Sequence, residues 1–441
     1  MKILWFTTSP SLGAQYLNHT EVGCSWIESL EIAFQRSNEI ELGIAFLWNE
    51  TEVAPFENKG TRYYPVRKAK SSKNRIKKIY SRWSHRVTLQ ENVPKYLKVI
   101  EEFKPDLIHI FGTENDYGEI VSHTHIPCVI HIQGNLVVYG HKWFSGIDFM
   151  GVIKYSEKIQ LLRGFGLLHD YYVNQKSASR EKDIFMKAKY FMGRTDWDRR
   201  LTAVLSPDAR YFHCDEIMKP EFYERVWKSK IASNEITIIS VIRANIYKGL
   251  ETILESMRIL KESDRNHSFT WKVAGTSRED DVPYLVHRKF GVRCESVGIQ
   301  LLGALGEIEL ADTMQEADLF VHPSHIDNSP NSICEAMLLG MPIIATYAGG
   351  IPSLITDKKE GILVQDGDPY ALAGAILEQV NQSDQAMAMA RQARQRAITR
   401  NDPDKIKGDL MDIYTSILKE GMPAVKYIGR KSPSQKVEIN S

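Results

Sequence analysis

Residues 319–352 read LFVHPSHIDNSPNSICEAMLLGMPIIATYAGGIP. A short apolar run, LFVHPS, breaks into the polar turn HIDNSPNS. A helical stretch, ICEAMLLG, follows, then a second apolar run, PIIAT, and a Gly-Gly-Ile-Pro loop. Strand, turn, helix and strand make one βαβ unit, and in open parallel sheets ligands gather at the strand ends just before such helices. Asp327 and Glu335 flank the turn with seven residues between them. Ser332 is placed to N-cap the helix, whose first amides lack intrahelical partners and carry the positive end of the dipole. That combination suits an anion, a phosphate above all. The same residues also fit a ligand-free account. Ser332-x-x-Glu335 spells a capping box, and Asp327-Asn328-Ser329-Pro330 is ordinary turn chemistry. On this stretch alone the two readings stand side by side.

Working outward, 441 residues exceed one compact core and imply two domains. A hydrophobic content of 43% and a charged content of 25% are those of a soluble globular protein. The formal net charge of +1 excludes a globally basic nucleic-acid binder but leaves room for a local basic patch. Five cysteines (Cys24, Cys128, Cys214, Cys294, Cys334) lie far apart with no CxxC pair. Neither a disulfide framework nor a structural zinc site is indicated, and a reducing, cytoplasmic compartment fits. The opening MKILWFTTSP has an apolar run too short for a signal peptide and reads as a first buried strand. No run approaches the roughly 18 apolar residues of a membrane span.

Strand-like and helix-like segments alternate along the chain. KILWFTT (2–8), IELGIAFLW (40–48) and TRYYPV (61–66) read as strands, with a polar loop over 11–25 and a helix over 25–37. LQENVPKYLKVIEEFKPDLIHIFG and YGEIVSHTHIPCVIHIQG each give a helix, a break and a strand. From residue 134 to about 181 the period blurs into a helical excursion with loops. A second rhythm begins at ITIISVIR (236–243), after a polar hinge candidate over 228–235. The repeated βαβα pattern argues for parallel, doubly wound sheets.

At the end of the first strand of this second rhythm stands Arg243-Ala-Asn-Ile-Tyr-Lys248-Gly249. Arginine offers a planar fork to phosphate oxygens and lysine a mobile point charge. An isolated pair of this kind is usually an exposed turn opening a helix. Here both motifs follow strand ends of one sheet, which favours a shared dianionic ligand such as a nucleoside diphosphate.

IRANIYKG, the turn from Asp327 to Glu335 with CEAMLLGMPIIAT, and AGGIPSLI…GILV…GD together resemble the retaining GT-B glycosyltransferases of family 4 (glycosyl transferases group 1), of the surface-polysaccharide type. The likeness covers roughly 236–380 and extends through KPDLIHIFG into 1–150. It implies an α/β GT-B fold, two Rossmann-like doubly wound domains facing each other across a cleft. The implied bounds are 1–228 for the acceptor side and 229–402 for the nucleotide-sugar side. A helix over 403–421 would cross back to the first domain, and the polar residues 422–441 are expected to be disordered.

The resemblance implies a hexosyltransferase whose Arg243 and Lys248 hold the donor diphosphate and neutralise the leaving group. Asp327, a glutamate in most relatives, would touch hydroxyls of the transferred sugar with a shorter reach, and Glu335 the ribose hydroxyls. Backbone amides of Ser329, Asn331 and Ser332 would meet the β-phosphate; Pro330 has no N–H to offer. Gly23 stands where relatives place a glycine pair against phosphate. His131, Gln133 and Arg194 are the acceptor-side candidates, with His131 equally open to being a packed core histidine. No cofactor or metal is expected, since the two cations and the helix dipole replace a divalent ion. The donor would be a nucleotide diphosphate sugar and the acceptor a glycan or lipid-linked glycan. The alternatives are a GT-B sugar-nucleotide epimerase and a nucleotide-sugar-binding protein without catalysis.

Residues 67–87, RKAKSSKNRIKKIYSRWSHRV, contain no acid, and Ile76, Ile79, Tyr80, Trp83 and Val87 fall at helical spacing. Such a helix either lies on an anionic membrane at the inner face of the plasma membrane or packs its apolar stripe on the sheet.

Overall fold

The computed structural model describes residues 1–17, 25–36, 39–49, 52–68, 83, 89–156, 165–228 and 234–421. Gly23, most of the basic segment 67–87 and the polar residues 422–441 lie outside the described residues.

The first sheet contains β1 (Lys2–Thr7), β2 (Glu41–Trp48), β3 (Phe56–Asn58), β4 (Thr61–Arg67), β5 (Leu107–Phe111), β6 (Cys128–His131), β7 (Tyr190–Gly193) and β8 (Arg210–His213). Their order is β3-β4-β2-β1-β5-β6-β7-β8, parallel except for the β3–β4 pairing. The second sheet contains β9 (Glu235–Val241), β10 (Ser268–Ala274), β11 (Ile299–Gly303), β12 (Leu319–His322), β13 (Ile343–Thr346) and β14 (Ile362–Val364). It is wholly parallel in the order β11-β10-β9-β12-β13-β14. The helices that matter below are α1 (Ser25–Gln35), α2 (Leu89–Phe103), α3 (Leu136–Lys142), α4 (Phe149–Tyr155), α5 (Leu167–Lys187) and α6 (Asp196–Leu205). After β9 come α7 (Leu250–Ser263), α8 (Asn331–Leu339), α9 (Ser383–Arg400) and α10 (Pro403–Gly421).

Unbroken apolar runs form the central strands because helices cover both faces of a parallel sheet. In β1, Ile3 and Trp5 join the core with α1 and α10, whereas Leu4 and Phe6 join the opposite core with α2. β3 and β8 are edge strands of three and four residues, too short for their alternation to be read. Among the described residues, α3 to α5 occupy the blurred stretch after residue 134. Ile147, Val152 and Leu167 from it are buried in the core of the second sheet, so its apolar residues serve two partners rather than one periodic face.

The junction between the halves differs from the expectation of 228/229. Cys214 and Ile217 still belong to the first core, while Met218, Phe222 and Trp227 are buried in the second. Trp227 Nε1 donates to the Ala317 carbonyl at 2.7 Å. The change of core therefore lies at 217–218, ahead of the exposed Lys228. A return crossing follows Asn401, and α10 packs Ile406, Leu410, Ile413, Tyr414 and Ile417 against the first sheet. The Tyr414 hydroxyl accepts from Trp5 Nε1 at 3.0 Å and pairs with His109 Nδ1 at 2.7 Å. Among the described residues no helix is long and apolar enough to cross a membrane.

Candidate active site

β9 and β12 are neighbours in the sheet, so the loops leaving their carboxyl ends run side by side. Gly249 sits where they touch: its φ is +82°, and a Cβ there would come within 2.4 Å of the Pro323 carbonyl oxygen. This contact brings Lys248 to the second loop, where its Nζ donates to Asp327 Oδ2 at 2.5 Å. His322, buried at the end of β12, lies 3.0 Å from the same oxygen through Nε2. Asp327 Oδ1 accepts from the Asn328 amide at 3.0 Å. Burial works to raise the Asp327 pKa, but Lys248 and His322 overcome it and hold the carboxyl well below the usual carboxylate range. A carboxylate can only accept, so the His322 proton is on Nε2. Arg243 is exposed on the same loop, and among the described residues no carboxylate pairs with its guanidinium.

The start of α8 differs from the expected capping box. Its N-cap is Pro330, with no side-chain cap hydrogen bond, and Ser332 is already the second helical residue. Glu335 then lies two residues beyond the capping-box position, too deep to reach back to the cap. The amides of Asn331 and Ser332 belong to the first turn, which helix geometry leaves without intrahelical acceptors. Ser329 and Ser332 are buried beside them.

Glu335 is also buried, and burial, with Glu307 adding repulsion, pushes it up to about 8. A carboxyl raised from 4.5 to about 8 favours the fold below pH 4.5 and works against it as pH climbs toward 8. Glu335→Gln is thus expected to raise Tm by a few degrees at pH 8 and to leave it unchanged near pH 4. Equal shifts at the two pH values would show that proton linkage is absent.

Residues of the first half close over this point. Thr195 Oγ1 donates to Asn328 Oδ1 and Asn328 Nδ2 to the Gln133 carbonyl, both at 3.0 Å. The Asp196 amide donates to Ser353 Oγ at 3.0 Å. The Gly-Gly loop is pressed against the back of the same turn, with the Gly350 amide donating to the Asp327 carbonyl at 2.9 Å. Above Tyr247, the rings of Tyr139 and Trp143 lie 5.4 and 5.3 Å away, and Trp197 lies 6.2 Å from Tyr139.

The structure therefore brings together Lys248, Asp327 and the start of α8 with Glu335. The acceptor-side candidates are taken up in packing and bracing contacts. His131 is 1% exposed and stacks among Trp26, His109 and Phe111, with burial holding it neutral; it is a core residue and not a cleft group. Gln133 contributes its backbone carbonyl. Arg194 is buried against Glu216 and donates to that carbonyl at 3.3 Å, so it braces the junction. Sequence reasoning passed over His322, Asn328, Thr195 and the aromatic group. DNSP had offered Asn328 as a turn residue, while no local signal pairs Thr195 with a residue 133 positions away. Among the described residues no group of three or more His, Cys, Asp or Glu side chains is arranged to hold a metal ion.

Two parallel α/β sheets meeting at their strand ends define the GT-B fold. Sucrose-phosphate synthase from Thermosynechococcus elongatus superimposes with a TM-score of 0.71 at 14% identity, over 95% of this chain and 100% of the other. Anabaena HepE in complex with UDP and glucose gives 0.62 at 16% identity, over 94% and 100%. Residues 222–396 match the family model described as Glycosyl transferases group 1. The chain is 27% identical over 187 residues to the amylovoran biosynthesis glycosyltransferase AmsK of Erwinia amylovora, 41% of this chain and 44% of the relative. It is 29% identical over 176 residues to the putative colanic acid biosynthesis glycosyltransferase WcaL of Escherichia coli, 38% of this chain and 42% of the relative. The matched stretch thus spans less than half the length of these relatives.

Proposed function

We propose that the chain is a retaining glycosyltransferase of the cytoplasm. It moves a hexose from a nucleotide diphosphate sugar to a glycan or lipid-linked acceptor in assembling a bacterial surface polysaccharide. The observation that carries this reading is the meeting of Lys248, Asp327 and an α8 start without a side-chain cap at adjacent strand ends. The matched family region and the similarity in fold to HepE, solved with UDP and glucose, support a nucleoside diphosphate sugar as donor.

In this reading Lys248 and the exposed Arg243 take up the negative charge that builds on the departing diphosphate, and the first-turn amides of α8 hydrogen-bond its oxygens. Asp327 is no general base: with Lys248, His322 and the Asn328 amide upon it, its pKa is too low to take a proton near neutrality. It fixes the ammonium group in place and keeps a lone pair on Oδ1 for a sugar hydroxyl. Glu335, largely protonated at pH 7, is suited to exchange hydrogen bonds with ribose hydroxyls.

The test is donor turnover in the presence of EDTA, with the product anomer followed by NMR. Acceptor-dependent release of nucleoside diphosphate with the donor's anomeric configuration kept is the expected result. Epimerised donor without acceptor would point to an epimerase, and thermal stabilisation without turnover to a binding protein.

A further inference from the structure

A groove of about 1120 Å³ opens between the halves on the side of Thr195 away from the Lys248–Asp327 pair. One wall is the start of α6 with β8; the other is Ser353, Lys359 and the face of α9 that carries Gln392, Gln395, Arg396 and Arg400. Thr195 lines the groove and also hydrogen-bonds Asn328, the neighbour of Asp327, so the buried Thr195–Asn328 contact is the wall between the groove and the site described above.

Its size and chemistry narrow the occupant. A volume above the ~300–1,000 Å³ of ordinary small-molecule pockets suits an extended ligand rather than one sugar ring. The lining is rich in donors. Arg400 is gripped by Asp215 at 2.7 Å through Nε and also donates to the Arg194 carbonyl, yet its Nη1 is buried with no partner. Gln392 and Gln395 present exposed amides.

Two cations on opposite walls are only loosely held. Lys359, 64% exposed, reaches Glu360 at 3.9 Å, while the other Glu360 oxygen is taken by Arg396 at 3.1 Å and the Thr356 amide at 2.8 Å. Arg199, 56% exposed, shares a solvated pair with Asp196 at 3.2 Å, an arrangement worth little. Both can turn to a ligand at small cost.

We propose that this groove binds an acidic oligosaccharide: a stretch of the already assembled glycan, held behind the turn that carries Asp327. The assignment rests on the transferase reading, and its test separates the two. Calorimetry on the full chain at low salt uses a galacturonic acid hexamer and, as the neutral counterpart, maltohexaose. The acidic hexamer binds, maltohexaose binds far more weakly, and Arg199→Glu/Lys359→Glu weakens the acidic hexamer about 100-fold, the worth of two charged contacts at about tenfold each. UDP raises the Tm of the double variant as it does that of the wild type. Unchanged affinity in the double variant, equal binding of maltohexaose, or no binding of the acidic hexamer to the wild type would each overturn the groove assignment. Failure of UDP to stabilise the wild type would instead count against the transferase reading, whatever the hexamers do.

Discussion

Lys248→Ala is expected to lower kcat of the proposed transferase by about 10²- to 10³-fold, the usual consequence of removing one preorganised donor from a developing oxyanion. The lysine is held by a buried carboxylate rather than left to solvent, so its charge is aimed before the donor arrives. The substitution also strands Asp327, which keeps His322 and the Asn328 amide but loses its cation. The wild-type Asp327 carboxyl, depressed in the fold, contributes stability above its ordinary range and loses that contribution as pH falls through the folded value. Without Lys248, burial raises the carboxyl again and the contribution shrinks. The variant should therefore melt below the wild type at pH 7, with the difference narrowing at pH 3. A kcat within about threefold of wild type would remove Lys248 from the chemistry.

Gly349→Ala should be the most damaging single-methyl change in the second half. Gly349 has a φ of +55°, and an added Cβ would come within 2.0 Å of the Asp327 carbonyl oxygen and 3.2 Å of its nitrogen. The left-handed backbone costs about 1 kcal/mol for alanine and the overlap about 1–3 more, a fall in Tm of roughly 5–10 °C. Because the turn must retreat, the Lys248 contact moves with it and kcat falls as well. Gly374→Ala is the control: this exposed glycine lies inside the helix Pro369–Asn381 with nothing within 4 Å of its Cβ position. It should stabilise by about 0.5–1 kcal/mol. Equal Tm values for the two variants would contradict the packing of the Gly-Gly loop on the turn.

Much of the fold was legible because central strands such as ILWF in β1 and LIHIF in β5 are buried on both faces and so appear as unbroken apolar runs. The pairing of the loops that carry Lys248 and Asp327 needed one more fact, that β9 lies beside β12, which no local pattern states. Residues 134–181 resisted reading for a physical reason. α3 and α4 are seven residues each, too short for a helical period, and their apolar side chains are divided between the second core and the ring cluster on Tyr247. Ser332 misled because its spacing to Glu335 matches a capping box, whereas Pro330 set the helix start two residues earlier. Cross-cleft partners such as Thr195 and Asn328 follow from how the halves dock, which the order of residues along the chain does not encode.

The return of α10 to the first sheet makes the chain span the two halves twice, and the two passages are stitched together. Asn401 Nδ2 donates to the Glu216 carbonyl at 2.8 Å, and the Tyr223 hydroxyl donates to the Asn401 carbonyl at 2.6 Å. A doubled, cross-linked ribbon resists stretching and twisting far better than a lone connector. Relative motion is thereby narrowed toward a swing about this ribbon, which is tied to the Asn328 contact through Arg400 and the Arg194 carbonyl beside Thr195. A swing that parts the halves breaks the Thr195–Asn328, Asn328–Gln133 and Asp196–Ser353 hydrogen bonds together, and the ribbon brings them back in the same register.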